Sequence, residues 1–311
     1  MRKAFTGCGT AMVTPFGPND ELDEAGVRRL AKRQIDAGIH FLVPCGTTGE
    51  TPTLTPEERA RIVEIVVDEA AGRVPVLAGA GGYNTREVIE AAERMRRAGA
   101  AGILSVTPYY NKPTPDGLYE HFKAIAGALD CPIIVYNVPG RTGSNVDTAT
   151  LARLAAIPNI AGVKEASGNM AQICDVCHTL PDPFIVLSGD DALTLPLMAV
   201  GGKGIISVAS NLVPDRMARM VEKAEANDFA AARALHDELL PFMTVNFIES
   251  NPIPIKSAMA MMGLLEERYR LPMVPPRKAS KERIAAVLQA MGERPVASPA
   301  EAEARRRVTA G

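Results

Sequence analysis

The stretch "NIAGVKEASGN", residues 159–169, decides how the rest of the chain is read. From Ile160 to Val163 small and branched residues run on without polar alternation. That is the pattern of a strand buried on both faces, as in a parallel sheet covered by helices. Lys164 stands near its end, although lysine is among the residues least often buried. The stretch therefore raises two questions: what sheet it belongs to, and what the lysine does there.

Seven further runs of the same kind answer the first question. They are "GTAMVTPF" (9–16), "FLVPC" (41–45), "VPVLAGA" (74–80), "AGILSVTP" (101–108), "PIIVYNVP" (132–139), "FIVLSGD" (184–190) and "KGIISVAS" (203–210). Between the runs lie segments of helical periodicity, such as 56–70, where Ile62, Ile65 and Val66 recur among charges. Thr55, Pro56, Glu57 and Glu58 place a cap, a first-turn proline and acidic first-turn residues in that order. Eight strand-then-helix units predict an α/β protein whose residues 1–225 form a (β/α)8 TIM barrel. Residues 226–292 carry three helix-like, Met-rich segments without a strand signal, including "NDFAAARALHDELLPFM" and "IPIKSAMAMMGLL". They predict a C-terminal helical appendage. Residues 293–311, "ERPVASPAEAEARRRVTAG", have no large apolar residue beyond valine and are expected to form a poorly ordered polar tail.

Composition narrows the function classes. A formal net charge of −2 argues against a nucleic-acid or membrane-surface partner, since either demands a basic excess. No run of about 18 apolar residues exists to span a bilayer. The segment "MRKAFTGCGTAMVTPFG" lacks the continuous apolar core of a signal peptide. Five scattered cysteines, an odd number, read as reduced thiols and a cytoplasmic location.

In such a barrel, chemistry sits at the C-terminal ends of the strands. There the sequence puts "GTTGE" (46–50), "YYNKP" (109–113), Tyr136 with "GRTG" (140–143), Lys164, Gly189 with Asp190, and Ser207 to Ser210. Gly162, Lys164 and Ala166 share one face of their strand, so small neighbours leave space around the long amine. One reading of Lys164 is a side chain that snorkels to the rim and pairs with Glu165 or Asp190. The other is a nucleophile. A free lysine is neutral only about four times in ten thousand at pH 7, but apolar walls lower its pKa and free the amine to attack a ketone. Lys203, at the start of the eighth strand, lies at the opposite end and serves as the structural control.

The remaining rim residues read in the same two ways. "GTTGE" is either an ordinary turn or a nest of backbone N–H groups and hydroxyls that binds a carboxylate or phosphate oxygen. It is not a P-loop, because no Gly-Lys-Ser/Thr follows. Tyr136, predicted on the interior face beside Lys164, either finds a structural partner or moves protons. Arg141 is either a surface charge or a bidentate clamp for a carboxylate. Two motifs are set aside. "CDVCH" (174–178) has haem-attachment spacing but falls inside a predicted helix, and "GAGGYN" (79–84) has Asn84 where a dinucleotide site needs its third glycine.

Five segments taken together, "GTTGE", "VTPYYNKPTPDGLYEHF", "YNVPGRTG", "GVKEASGN" and "ESNPIPIKSAM", resemble the class I pyruvate-dependent aldolase family, which includes N-acetylneuraminate lyase. The likeness runs in order from about residue 5 to 292. It implies a lyase in which Lys164 forms an imine with pyruvate and the carboxylate rests on Thr47 and Thr48. Thr47, Tyr136 and Tyr110 match the family's proton relay, with Tyr110 supplied by a neighbouring subunit. Gly189 and Ile206 match positions whose carbonyls face pyruvate, and Asn251–Pro252 matches a signature of the appendage. Arg141 matches the residue that holds the carboxylate of L-aspartate 4-semialdehyde, in the branch serving lysine and diaminopimelate biosynthesis. Members acting on keto-deoxy sugar acids usually lack that arginine, so sugar-acid cleavage is the alternative, and a catalytically silent binding homologue is the alternative from another class. The resemblance implies no cofactor and no metal, and a homotetramer built from tyrosine-sharing dimers. At the family's lysine-feedback pocket two histidines are replaced by Pro56 and Arg59 and an asparagine by Tyr83, while Glu87 and Tyr109 remain. L-Lysine is therefore expected to inhibit weakly or not at all.

Overall fold

The computed structural model describes residues 5–296. Each apolar run forms a strand: β1 (Gly7–Ala11), β2 (Phe41–Val43), β3 (Leu77–Gly79), β4 (Gly102–Val106), β5 (Ile133–Asn137), β6 (Ile160–Glu165), β7 (Ile185–Ser188) and β8 (Gly204–Ser207). They pair in parallel in the order β2-β1-β8-β7-β6-β5-β4-β3. A parallel bridge between Leu42 and Val76, with the Leu42 N–H donating to Pro75 O at 3.1 Å, joins β2 to β3 and closes the barrel. The expected TIM barrel is borne out. Only the first strand departs from its run, starting earlier and ending at Ala11. Beyond Met12 the ladder stops, because the Val13 N–H is taken by Asn211 Oδ1 and Pro15 has no N–H to give.

The helices between and after the strands are α1 (Glu24–Asp36), α2 (Pro56–Ala70), α3 (Thr85–Arg97), α4 (Pro115–Ala128), α5 (Pro139–Thr142), α6 (Thr148–Ala155), α7 (Met170–Thr179), α8 (Thr194–Ala199), α9 (Pro214–Glu225), α10 (Phe229–Val245), α11 (Ile253–Met261) and α12 (Lys278–Ala290). Their starts follow side-chain chemistry. Thr55 accepts from the Glu58 N–H while Glu58 accepts from the Thr55 N–H, a capping box worth about 1 kcal/mol. Asn84 caps α3, which accounts for the asparagine in "GAGGYN". "CDVCH" lies inside α7, with Cys174 exposed and Cys177 half-buried.

Two apolar layers result from strand alternation. Inside the barrel are Phe5, Phe41, Val43, Leu77, Leu104, Ile134, Tyr136, Ile185, Leu187 and Ile206, with Phe5 and Phe41 packed edge to face at the bottom. The larger layer fills the space between strands and helices. Each fully buried aliphatic or phenyl side chain contributes about 1.5–3 kcal/mol relative to exposure. The last helices, α10 to α12, pack on one another and on α9, and the segment joining α10 to α11 runs past the mouth of the barrel, where Asn251 meets Thr48. At the end of the described residues Glu293 pairs with Arg216 and the Val296 N–H donates to Met261 O at 2.8 Å. The expectation of a poorly ordered tail lies, for residues 297–311, outside the described residues. Among the described residues no helix is long and apolar enough to cross a membrane, and no cluster of His, Cys, Asp or Glu is placed to hold a metal ion.

Candidate active site

Lys164 lies late in β6 with its side chain inside the barrel. Its strand neighbours in register are Tyr136 on β5 and Leu187 on β7, both members of the interior layer. It is 5% exposed, and it forms no ion pair or hydrogen bond among the described residues. The carboxylates named as pairing candidates are engaged elsewhere. Glu165 accepts from Asn137 Nδ2 at 3.0 Å and from the Ser167 N–H at 2.7 Å. Asp190 caps the turn after β7, accepting from the Ala192 N–H at 3.0 Å. The pairing reading therefore falls, because both carboxylates lie on the outward face or in the turn while the amine points inward.

The charge that does reach Lys164 belongs to Asp191. This carboxylate is 1% exposed and accepts from Ser207 Oγ at 2.5 Å and from the Val208 and Ala209 N–H groups at 3.1 Å each. Burial pushes it up to about 6. Burial likewise pushes the Lys164 amine down to about 7, with Asp191 pulling it up and Arg141 pulling it further down. Near neutral pH a large fraction of the amine is then the free base. The sequence points to Asp190 rather than Asp191, since two consecutive aspartates give no sign of which caps the turn and which turns inward.

The walls around the amine are close. A Cβ on Gly189 would come within 2.9 Å of Lys164 Cε and 2.7 Å of Ala166 Cβ, so only glycine leaves the stem its room. Ile206 is fully buried in the interior layer on β8. Lys164 Nζ sits 4.2 Å from the centroid of the Tyr136 ring. Burial raises the Tyr136 phenol, while Arg141 nearby and a hydrogen bond with Thr47 act the other way.

Thr47–Gly49 forms a single 3-10 turn after β2. Gly49 N–H donates to Gly46 O at 3.0 Å, Thr51 Oγ1 donates to the same carbonyl at 2.8 Å, and Thr14 Oγ1 donates to Gly49 O at 2.7 Å. The turn holds Thr47 half-exposed toward a cavity of about 470 Å3 and Thr48 buried behind it. Thr47, Tyr136 and Arg141 line this cavity, together with Arg59, Tyr83, Glu87 and Tyr109. Lys164 does not line it directly and meets it through the Tyr136 ring.

Arg141 lies not in an open loop but in α5, a single helical turn started by Pro139 and stopped by Gly143 at φ 68°. Its Nη2 donates to Asn251 O at 3.2 Å, and the Asn251 side chain donates through Nδ2 to Thr48 Oγ1 at 3.0 Å. Asn251 Oδ1, buried, has no partner among the described residues. One residue of the appendage thus touches both the threonine turn and the arginine, a bridge across more than a hundred residues that no local pattern announces. Tyr110 is the one expected site residue that this chain does not bring to the others: it is 90% exposed at φ 66°. Its neighbour Tyr109 packs edge to face on Tyr83, with ring centroids 5.2 Å apart.

A family model described as the dihydrodipicolinate synthetase family matches residues 4–291. The chain belongs to that family. A relative from Koribacter versatilis (strain Ellin345), a 4-hydroxy-tetrahydrodipicolinate synthase, is 56% identical over 284 residues, covering 90% of this chain and 95% of the relative. The crystal structure of dihydrodipicolinate synthase from Aquifex aeolicus superposes with a TM-score of 0.92 at 42% identity, covering 94% of this chain and all of that one. A dihydrodipicolinate synthase variant characterised as the first monomeric one has a TM-score of 0.92 at 41% identity, covering 94% of this chain and 98% of its own. The resemblance carried by the five sequence segments is borne out at the level of the dihydrodipicolinate synthetase family, over nearly the whole described chain.

Proposed function

We propose that the chain catalyses the reaction of a 4-hydroxy-tetrahydrodipicolinate synthase, condensing pyruvate with L-aspartate 4-semialdehyde in lysine and diaminopimelate biosynthesis. One observation carries the reading: a buried, unpaired lysine amine, pushed down to about 7, beside a tyrosine ring inside a barrel mouth. Pyruvate's carboxylate rests on the Thr47–Thr48 turn, which supplies hydroxyls and backbone N–H groups. The neutral Lys164 amine adds to C2, and loss of water leaves the imine. Removal of a C3 proton gives an enamine, whose C3 attacks the aldehyde carbon and forms the new C–C bond. The aldehyde oxygen takes up a proton and becomes the 4-hydroxyl. The substrate's own amino group then attacks C2, closes the ring and releases Lys164 as the free amine.

Thr47, Tyr136 and Tyr110 pass the protons of these steps, Tyr110 coming from a second copy of the chain. The Gly189 and Ile206 carbonyls face the bound pyruvate, and Arg141 takes the aldehyde substrate's carboxylate through its guanidinium fork. The enzyme works in the cytoplasm as a tetramer of tyrosine-sharing dimers. Its free cysteines and the exposed Tyr109–Tyr110 pair support that assembly and location. L-Lysine inhibits weakly, because Arg59 brings a cation into the cavity wall and Glu87 already accepts from Asn84 Nδ2 at 2.9 Å. A submillimolar inhibition constant for L-lysine contradicts this last point.

The test mixes the enzyme with pyruvate and L-aspartate semialdehyde and couples product to an NAD(P)H-dependent dihydrodipicolinate reductase. Pyruvate-dependent oxidation of NAD(P)H, absent in Lys164→Ala, is the expected result. No turnover, with pyruvate still trapped on the protein by borohydride, moves the assignment to the sugar-acid reaction. Neither turnover nor trapping leaves a silent binding protein.

A further inference from the structure

The threonine turn is followed by Glu50, a residue that the reaction does not use. Its backbone stands at φ 53° and ψ 34°, a left-handed conformation uncommon for any residue but glycine. Its carboxylate points inward, 1% exposed, and accepts from Lys256 Nζ at 2.5 Å. The Lys256 side chain is fully buried, with Nζ 4.4 Å from the Phe16 ring centroid and 5.2 Å from that of Tyr269. The second Glu50 oxygen accepts from the Arg270 N–H at 3.3 Å. Lys256 belongs to α11, and Asn251, just ahead of the same helix, holds Thr48 Oγ1. The turn is thus gripped at its middle residue and at the residue that follows it by one short piece of the appendage.

We propose that the Glu50–Lys256 ion pair is a positioning clasp for the Thr47–Gly49 turn, through which the helical appendage sets the affinity of the site for a small 2-oxo carboxylate. This rests on the reading of that turn as the seat of pyruvate's carboxylate. Stability alone does not account for the pair. Two charges withdrawn from water lose solvation that their attraction only partly restores, and well-packed apolar residues of the same volume would serve as well or better. A left-handed backbone is unfavourable at a residue with a Cβ, and buried contacts that hold the side chain offset that strain. The clasp supplies such contacts at the residue next to the turn, where a displacement of about 1 Å is enough to spoil binding geometry. Because Glu50 and Lys256 touch neither the cavity nor Lys164, they are positioning groups.

Two variants of the full chain separate the clasp from a structural role: Glu50→Gln, and the neutral pair Glu50→Gln/Lys256→Met. Thermal stability, KM for each substrate and kcat are measured for both. The neutral pair leaves no buried charge unpartnered, so its Tm stays near that of the parent. The expected result is a KM for pyruvate raised about tenfold, with kcat and the KM for the aldehyde changed by less than about threefold. An unchanged pyruvate KM in both variants overturns the clasp, as does a parallel rise in both KM values with a fall in kcat. If the neutral pair fails to fold, Glu50→Gln decides by the same criteria, since glutamine keeps the shape of the side chain and removes the charge that makes the ion pair. Thr48→Val runs alongside. If it leaves the pyruvate KM unchanged, the carboxylate seat itself is wrong and the clasp falls with it. If it raises that KM while the Glu50 variants do not, the clasp alone is wrong.

Discussion

Lys164 in β6 and Lys256 in α11 are both buried, at 5% and 0% exposure, and both amines are pushed down by loss of solvent. Around Lys256 the fold supplies an answering charge, Glu50 at 2.5 Å, and two aromatic faces. Around Lys164 it supplies one aromatic face and a carboxylate, Asp191, kept away and occupied by three other donors. The same side chain is tied to a carboxylate in one place and left without one in the other. What differs is whether a carboxylate is within reach, and that depends on tertiary packing rather than on burial.

The comparison can be broken most severely at Lys164. Lys164→Ala is expected to lower kcat by at least about 10^4-fold and abolish borohydride trapping of pyruvate. Residual turnover within a hundredfold of the parent would make the amine dispensable. At the other lysine the large effect is on stability. Lys256→Met alone strands the Glu50 carboxylate in the interior and is expected to cost about 3–5 kcal/mol, read by denaturant unfolding. Tyr136→Phe removes the phenol beside the free amine. It is expected to lower kcat at least about tenfold while imine trapping persists, and an unchanged kcat removes the tyrosine from the proton relay. The smallest effect is Lys164→Met, which removes a desolvated amine without a partner and is expected to raise Tm by a few degrees. The two lysine-to-methionine changes thus move stability in opposite directions, and a matching sign would erase the contrast.

The sequence makes one half of this contrast legible. Eight apolar runs without alternation announce a parallel barrel, and strand periodicity puts Lys164 inside, next to Tyr136, because pleat is a local property and consecutive strands of such a barrel are neighbours. The turn residues at 46–50 and the arginine at 141 are placed by the rule that chemistry sits after the strands. Local patterns do not reveal which aspartate of 190 and 191 turns inward, or that α5 holds Arg141. They also miss the grip of Asn251 and Lys256 on the threonine turn, since these partners lie 203 and 206 residues from Thr48 and Glu50. An ion pair leaves no periodic trace in the sequence. Lys256 reads locally as the polar residue of an amphipathic helix, although it is fully buried.

The most direct test of the central claim traps labelled pyruvate with borohydride across a pH series and maps the modified peptide. The adduct is expected on Lys164 alone. The amine's pKa lies near 7, so the initial rate of trapping should fall as pH drops through about 7, where protonation removes the nucleophile, and level off above it. Adduct on Lys203 or Lys256, or a rate that climbs past about pH 9 as for an ordinary lysine, contradicts the account.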